Sequence, residues 1–330
     1  MRHLRAGLCF SLILMATGFL RSQELKTVIG PGQAAGNTPA APGPVNPLKV
    51  ALLHWYPANT TTSFAVGSTP YGVCFDGANI WVANYGGSSV TKLRAADGAV
   101  LGTFTVPLGP YGCVFDGANV WVTGSVNGNV TKLRASDGKN LGTFSVGKLP
   151  FWLAFDGANI WVANADYTDN TVTKLRASDG KNLGTFLVGS SPMGVAFDGA
   201  NIWVTNYGSG TVSKLRASDG KLLGTFAVGP SPVGIAFDGV NIWTANRGGG
   251  SVTKLRASDG TVLGTFSAPG SPYAIAFDGA NIWVGGSPYL QELKASDGTM
   301  ILELGPLNMG GMAFDGANVW ATSSNTVGKY

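Results

Sequence analysis

The tripeptide Phe-Asp-Gly recurs seven times, beginning at Phe75, Phe115, Phe155, Phe197, Phe237, Phe277 and Phe314, at spacings of 40, 40, 42, 40, 40 and 37 residues. Each copy leads into a short run containing Trp. A period near 40 filled with short strands is the sequence pattern of a β-propeller blade. The repetition also sorts residues by role. A residue present in every copy is explained first by folding, so function is sought where the copies differ.

The fourth repeat shows the pattern within one blade. Gly194-Val-Ala-Phe-Asp198, Asn201-Ile-Trp-Val-Thr-Asn206, Thr211-Val-Ser-Lys-Leu-Arg216 and Leu223-Gly-Thr-Phe-Ala-Val228 are short, rich in β-branched and aromatic residues, and bounded by Gly, Asp, Asn or Pro. Each reads as a strand. The first two runs are the more continuously apolar, which predicts burial on both faces. The third alternates, which predicts a more peripheral strand partly facing solvent. On that reading Lys92, Arg94 and their counterparts form solvated stripes.

Two turns barely vary. Asp-Gly-Ala-Asn joins the first and second strands, and Ser-Asp-Gly (Ala-Asp-Gly at Ala96) joins the third and fourth. Gly tolerates positive φ and Asp bonds its own backbone, so these are turn residues rather than paired catalytic carboxylates or calcium ligands. They take 13 of the 15 aspartates, which leaves Asp166 and Asp169 as the only aspartates free for another role.

The last repeat supplies three strands, ending at Asn325-Thr-Val-Gly-Lys-Tyr330. Thr62-Ser-Phe-Ala-Val-Gly67 matches the missing fourth. The expected fold is all-β: a seven-bladed propeller of four-stranded antiparallel blades over residues 48–330, closed by an N-terminal strand that completes the last blade.

Residues 1–22 combine a basic start with an apolar run from Ala6 to Leu20. Fifteen residues fall short of the roughly 20 that a membrane-spanning helix needs. The segment reads as a secretory signal peptide, or as an anchor if it is retained. Residues 23–47 are rich in Pro, Gly and Ala and read as a linker. The domain is therefore expected to be exported, whether periplasmic, displayed at the cell surface or secreted. Three of the 22 Lys and Arg lie in residues 1–22, which leaves 19 against 18 Asp and Glu. A near-neutral chain gives little support to nucleic acid as a partner.

Trp203-Val-Thr-Asn206 followed by Gly-Ser-Gly-Thr-Val-Ser resembles the Tyr-Val-Thr-Asn (YVTN) repeat of bacterial and archaeal surface or periplasmic propellers, with Trp in place of Tyr. Trp-Val-Ala-Asn at Trp81 and Trp161 and Trp-Thr-Ala-Asn at Trp243 are further copies. The resemblance runs from about residue 60 to the end. It implies a surface or periplasmic propeller, in a group of which one branch is associated with DNA binding. More distant likeness extends to NHL-like propellers and to metal-dependent enzymes such as the virginiamycin B lyases and gluconolactonase-type propellers. That enzyme reading wants a His beside a metal on the propeller face. The only two His, His3 and His54, precede the first blade. No zinc-like spacing, P-loop, dinucleotide motif or nucleophile elbow is present. No catalytic residue, metal or cofactor is assigned, and the chain is expected to act as a monomer.

Where the blades differ, aromatics collect. The residues after the blade-linking Pro include Tyr71, Tyr111, Phe151-Trp152, Met193, Val233 and Tyr273, with Met309 at the comparable point of the last repeat. The second-to-third loops add Tyr85, Asp166-Tyr167, Tyr207, Arg247 and Tyr289. Both sets fall on one face of the ring, near the mouth of the central channel. This variable face predicts a binding or interaction module for a glycan or protein ligand of the cell envelope. The competing expectation is that the aromatics plug the inner rim. Cys74 and Cys113 occupy first strands of neighbouring blades, offset by one position. They read either as an interblade disulfide, which export permits, or as two small buried residues. Blade six departs most, with Gln291-Glu-Leu in place of Thr-Lys-Leu, and Glu303 in its fourth strand.

Overall fold

The computed structural model describes residues 63–330. The signal-peptide and linker expectations, His54 and residues 48–62 lie outside the described residues. Seven four-stranded antiparallel sheets form the blades of a ring. In blade one the strands run Pro70–Phe75, Asn79–Asn84, Ser89–Arg94 and Val100–Thr105, from the channel outward. Blade seven is built from Met312–Phe314, Val319–Ser323, Thr326–Lys329 and, outermost, Ser63–Ala65. Ser63, Phe64 and Ala65 pair with Gly328, Val327 and Thr326. The N-terminal strand thus closes the ring, and no blade is left short of an outer strand.

The invariant residues hold each blade together. Asp76 Oδ1 accepts the backbone N–H groups of Ala78 and Asn79, and its Oδ2 accepts the indole N–H of Trp81 at 2.8 Å. The Trp–Asp bond recurs in all seven blades at 2.7–2.8 Å. Burial pushes the Asp76 carboxyl up, but the bonds from Trp81, Asn79 and the turn backbone outweigh it and hold the group below the usual carboxylate range. The Phe-Asp-Gly-x-Asn turn is therefore a bracket that fixes the Trp ring, and its carboxylate is spent on that task. Six of these seven indoles are fully buried, and each of the six packs into the core between its own blade and the next.

Two sequence expectations are corrected. The third strands are not peripheral: residues Val90–Leu93 are buried, while the fourth strand alternates between exposed and half-buried. Packing blade against blade covers both faces of the first three strands, so only the outermost strand meets solvent. Nor do the lysines form a solvated stripe. Lys92 is only 7% exposed. Its Nζ lies 5.1 Å from the Trp81 ring centre and donates to the carbonyl of Ala135 in blade two at 2.7 Å. Lys132, Lys174, Lys214 and Lys254 repeat this latch into the next blade at 2.7 Å, and Lys329 reaches Ala95 at 3.1 Å to join blade seven to blade one. Arg94 does remain at the surface, paired with Asp97 at 2.8 Å.

A second interblade contact rests on the Asp-Gly turn between the third and fourth strands. Gly98 adopts φ +73°, and a side chain there would run into the ring of Phe64 on the outer strand of blade seven. Gly serves both needs, a left-handed backbone and an open seat for the ring. Among the described residues no helix is long and apolar enough to cross a membrane.

Candidate functional site

The blade-linking Pro is followed by a β-bulge. In blade one Pro70 pairs with Asn84 and Val73 with Val82, so Tyr71 and Gly72 stand opposite Ala83 alone. The same slip occurs after Pro110, Pro150, Pro192 and Pro232, and in shorter form after Pro272. A bulge re-aims side chains out of the regular ladder. Here it turns the first residue after Pro toward the channel mouth and presses the second against the next blade. A side chain at Gly72 would collide with the backbone of Tyr111 and Gly112. Blade three carries Trp152 at that second position, and its indole lines the channel cavity instead.

Trp152 helps to close the channel. Its ring meets Tyr111 at 4.9 Å and Tyr273 at 5.3 Å, both edge to face. The hydroxyls of Tyr111 and Tyr273 also meet, from blades two and six, across the ring. Burial, with a smaller push from nearby Tyr71, raises the Tyr273 phenol well above its ordinary value, so it stays a neutral hydrogen-bonding group. Below this aromatic bridge lies a channel cavity of about 150 Å³. Above it opens a bowl of about 500 Å³, within the range of small-ligand sites.

The bowl is built from three sets of positions. The bulge residues Tyr71, Tyr111, Phe151, Met193 and Tyr273 contribute, joined by Met309 and Gly310 from the last repeat. The sixth position past the first Asn of the second strand contributes Ala165, Tyr207, Arg247 and Ser287, and the residue before Pro contributes Ser191 and Ser271. Tyr71 stacks on Tyr111 at 4.6 Å, and Phe151 packs against Tyr111 at 4.4 Å. This three-ring stack uses both faces of Tyr111, which is buried and acts as wall rather than contact surface. Tyr207 is exposed and available. Arg247 is exposed on a short 3-10 turn, Arg247–Gly249, with its guanidinium 5.8 Å from the Tyr273 ring centre.

Of the residues singled out by sequence, Tyr71, Tyr111, Phe151, Tyr207, Arg247 and Tyr273 line the bowl. Trp152 lies in its base, and Tyr85 braces Tyr71 and Tyr111 edge-on from outside. Asp166, Tyr167 and Tyr289 do not line it. The two-residue insertion of blade three folds into its own turn: Asp166 accepts from the N–H of Thr168, Asp169 accepts from the N–H of Lys148, and Tyr167 points outward at 75% exposure. Half-buried Tyr289 lies against Gly305. The expected acidic corner is therefore separate from the bowl. Repeat register explains the difference, because the positions equivalent to Tyr207 in blades three and six are Ala165 and Ser287. Aligning by register rather than by nearest aromatic also finds the serines that sequence reading missed.

Cys74 and Cys113 are buried free thiols on neighbouring innermost strands, not a disulfide. They fill slots taken by Ala or Val and by Val, Leu, Ile or Met in other blades. Burial, with the adjacent Cys113 and Asp76, pushes the Cys74 thiol up.

The comparisons agree on shape. A streptogramin B lyase is 20% identical, over 81% of this chain and 95% of its own, with a TM-score of 0.69. Virginiamycin B lyase from Staphylococcus aureus is 18% identical, over 81% and 98%, with a TM-score of 0.68. Hydrazine synthase from Kuenenia stuttgartiensis is 17% identical, over 82% and 96%, also at 0.68. No protein-family model matches the sequence, and no curated protein matches it. Likeness at this level of identity establishes the fold alone: the chain is a seven-bladed β-propeller with structural neighbours among the virginiamycin B lyases.

Proposed function

We propose that this chain is an exported binding module, a YVTN-type propeller that takes a glycan or protein ligand of the cell envelope in the bowl at its channel mouth. The observation that carries the reading is the bowl itself: about 500 Å³, walled by Tyr, Phe and Met, with the channel beneath it bridged by Trp152, Tyr111 and Tyr273. The bridge makes the bowl a pocket rather than a passage. Apolar ring surface beside a few convergent hydroxyls is the usual make-up of a ligand site.

A second reading, a metal-dependent lyase-like enzyme, draws on the likeness in shape to streptogramin B lyase. The residues present do not fit a metal centre. Residues 63–330 contain no His. Among the described residues no three of His, Cys, Asp and Glu gather as ligands. The bowl lining holds no carboxylate, imidazole or thiol that could donate to a cation or move a proton. A third reading, DNA held by stacking on the aromatics, is weaker still, because such sites also track the backbone with a positively charged groove and the bowl offers one cation.

The test is a glycan array and an envelope pull-down with the protein purified after export, alongside a Tyr207→Ala/Met193→Ala double variant. Both side chains line the bowl outside the aromatic bridge. The captured ligand is expected to bind the variant about tenfold or more weakly, at an unchanged melting temperature. Undiminished binding by the folded variant would overturn the bowl as the site.

A further inference from the structure

Six arginines lie among residues 63–330. Five of them, Arg94, Arg134, Arg176, Arg216 and Arg256, each pair with the aspartate three residues on, at 2.8–3.3 Å. Arg247 is the sixth, and among the described residues it has no carboxylate partner. It stands where blades one and four carry Tyr85 and Tyr207. It is also the only residue of the bowl lining that carries a formal charge at neutral pH. Its guanidinium is placed over Tyr273 rather than turned to the outer surface.

We infer that the bowl selects an acidic sugar, a hexuronate or short oligouronate, with its carboxylate on Arg247. This inference rests on the binding-module reading above and names its ligand class. A guanidinium offers a planar fork of N–H donors that matches a carboxylate in a bidentate pair. Ring surface nearby suits the apolar face of a pyranose. The Ser191 and Ser271 hydroxyls line the bowl and can both donate and accept, as sugar hydroxyls require. The volume suits one or two sugar rings. An acidic peptide would satisfy Arg247, but the hydroxyls of the bowl are too few to pair every amide of an extended backbone.

Isothermal titration of the exported protein with the disaccharides of galacturonate, glucuronate and mannuronate, each beside its methyl ester, tests this. The esters keep the ring and hydroxyls and remove the charge. At least one acid is expected to bind about tenfold or more tightly than its ester, and the preference is expected to shrink as salt rises. Arg247→Gln should abolish the preference while leaving ester binding in place, and Arg247→Lys should restore part of it. Acid and ester binding alike, or a preference that survives in Arg247→Gln, would overturn the inference. So would no binding by any acid, or hexaglutamate binding more tightly than every uronate. The bowl itself is judged separately: ester binding that is lost in Tyr207→Ala/Met193→Ala supports the bowl even where the acid preference fails.

Discussion

Lys174 and Arg176 leave the same strand toward the same face of blade three, two residues apart, and meet opposite surroundings. Lys174 is 6% exposed, lies 5.0 Å from the Trp161 ring centre and donates to the carbonyls of Ala217 and Ser218 in blade four. Arg176 sits at the strand end and pairs with Asp179 in solvent. A buried ammonium held by two carbonyls and an indole face is an interblade bond; an exposed ion pair contributes little. Lys174→Met, which keeps the stem and deletes the charge, leaves both carbonyls without their donor. It is expected to cost about 1–3 kcal/mol. Arg176→Met should cost under about 1 kcal/mol. Denaturant melts of the two variants provide the check, and equal losses would contradict the latch.

At the scale of the strand, two features give this propeller its form. One is the bulge after each blade-linking Pro, which turns a regular inner strand into a presenter of side chains at the channel mouth. Because five bulges share one geometry, blades present different residues at the same place, and variation there changes the bowl without disturbing the ladder. The other is the strand Ser63–Ala65. It supplies the outer edge of blade seven and places Phe64 on Gly98 of blade one. Deleting residues 48–67 removes the ladder pairs and the ring contact together, and exposes the edge of Thr326–Lys329. The expected result is a fall of well over 5 °C in melting temperature. An unchanged melting temperature in calorimetry would reject this closure.

Across the whole ring the seven seams are not equal. Six carry the Lys latch, and at each of these a Phe of the outer strand also rests on the turn Gly of the next blade, as Phe104 does on Gly138. The seam between blades six and seven has neither. Blade seven takes its outer strand from the N-terminal side, so it has no Ser-Asp-Gly turn to receive them. Blade six has changed to match: Glu292 stands where the Lys would be and accepts from Asn281 at 2.8 Å, Leu304 stands where the Phe would be, and Trp283 is no longer fully buried. Gln291 bonds Glu303 at 2.9 Å within the blade. The replacement of the Lys and the Phe in blade six is thus accounted for by its neighbour. The ring is expected to open first at this seam. Hydrogen exchange should show peptides of 281–304 and 312–329 losing protection before those of 119–145. Uniform protection around the ring would show the seams to be equivalent.

Repetition alone was enough to count the blades, set their strand order, find the closing strand and assign the Asp-Gly turns, because each of these depends on local turn chemistry and on a period visible in one dimension. It also pointed to the variable face, since departures from a repeat can be read directly. The third strand is buried despite its alternation, because alternation signals a half-exposed strand only when one face of the sheet meets water, and here neighbouring blades cover both. The membership of the bowl, the separation of Asp166 and Tyr167 from it, and the meeting of Tyr111 with Tyr273 depended on closure of the ring. Residues 162 positions apart come together only when seven blades turn through a full circle, and no local pattern carries that distance.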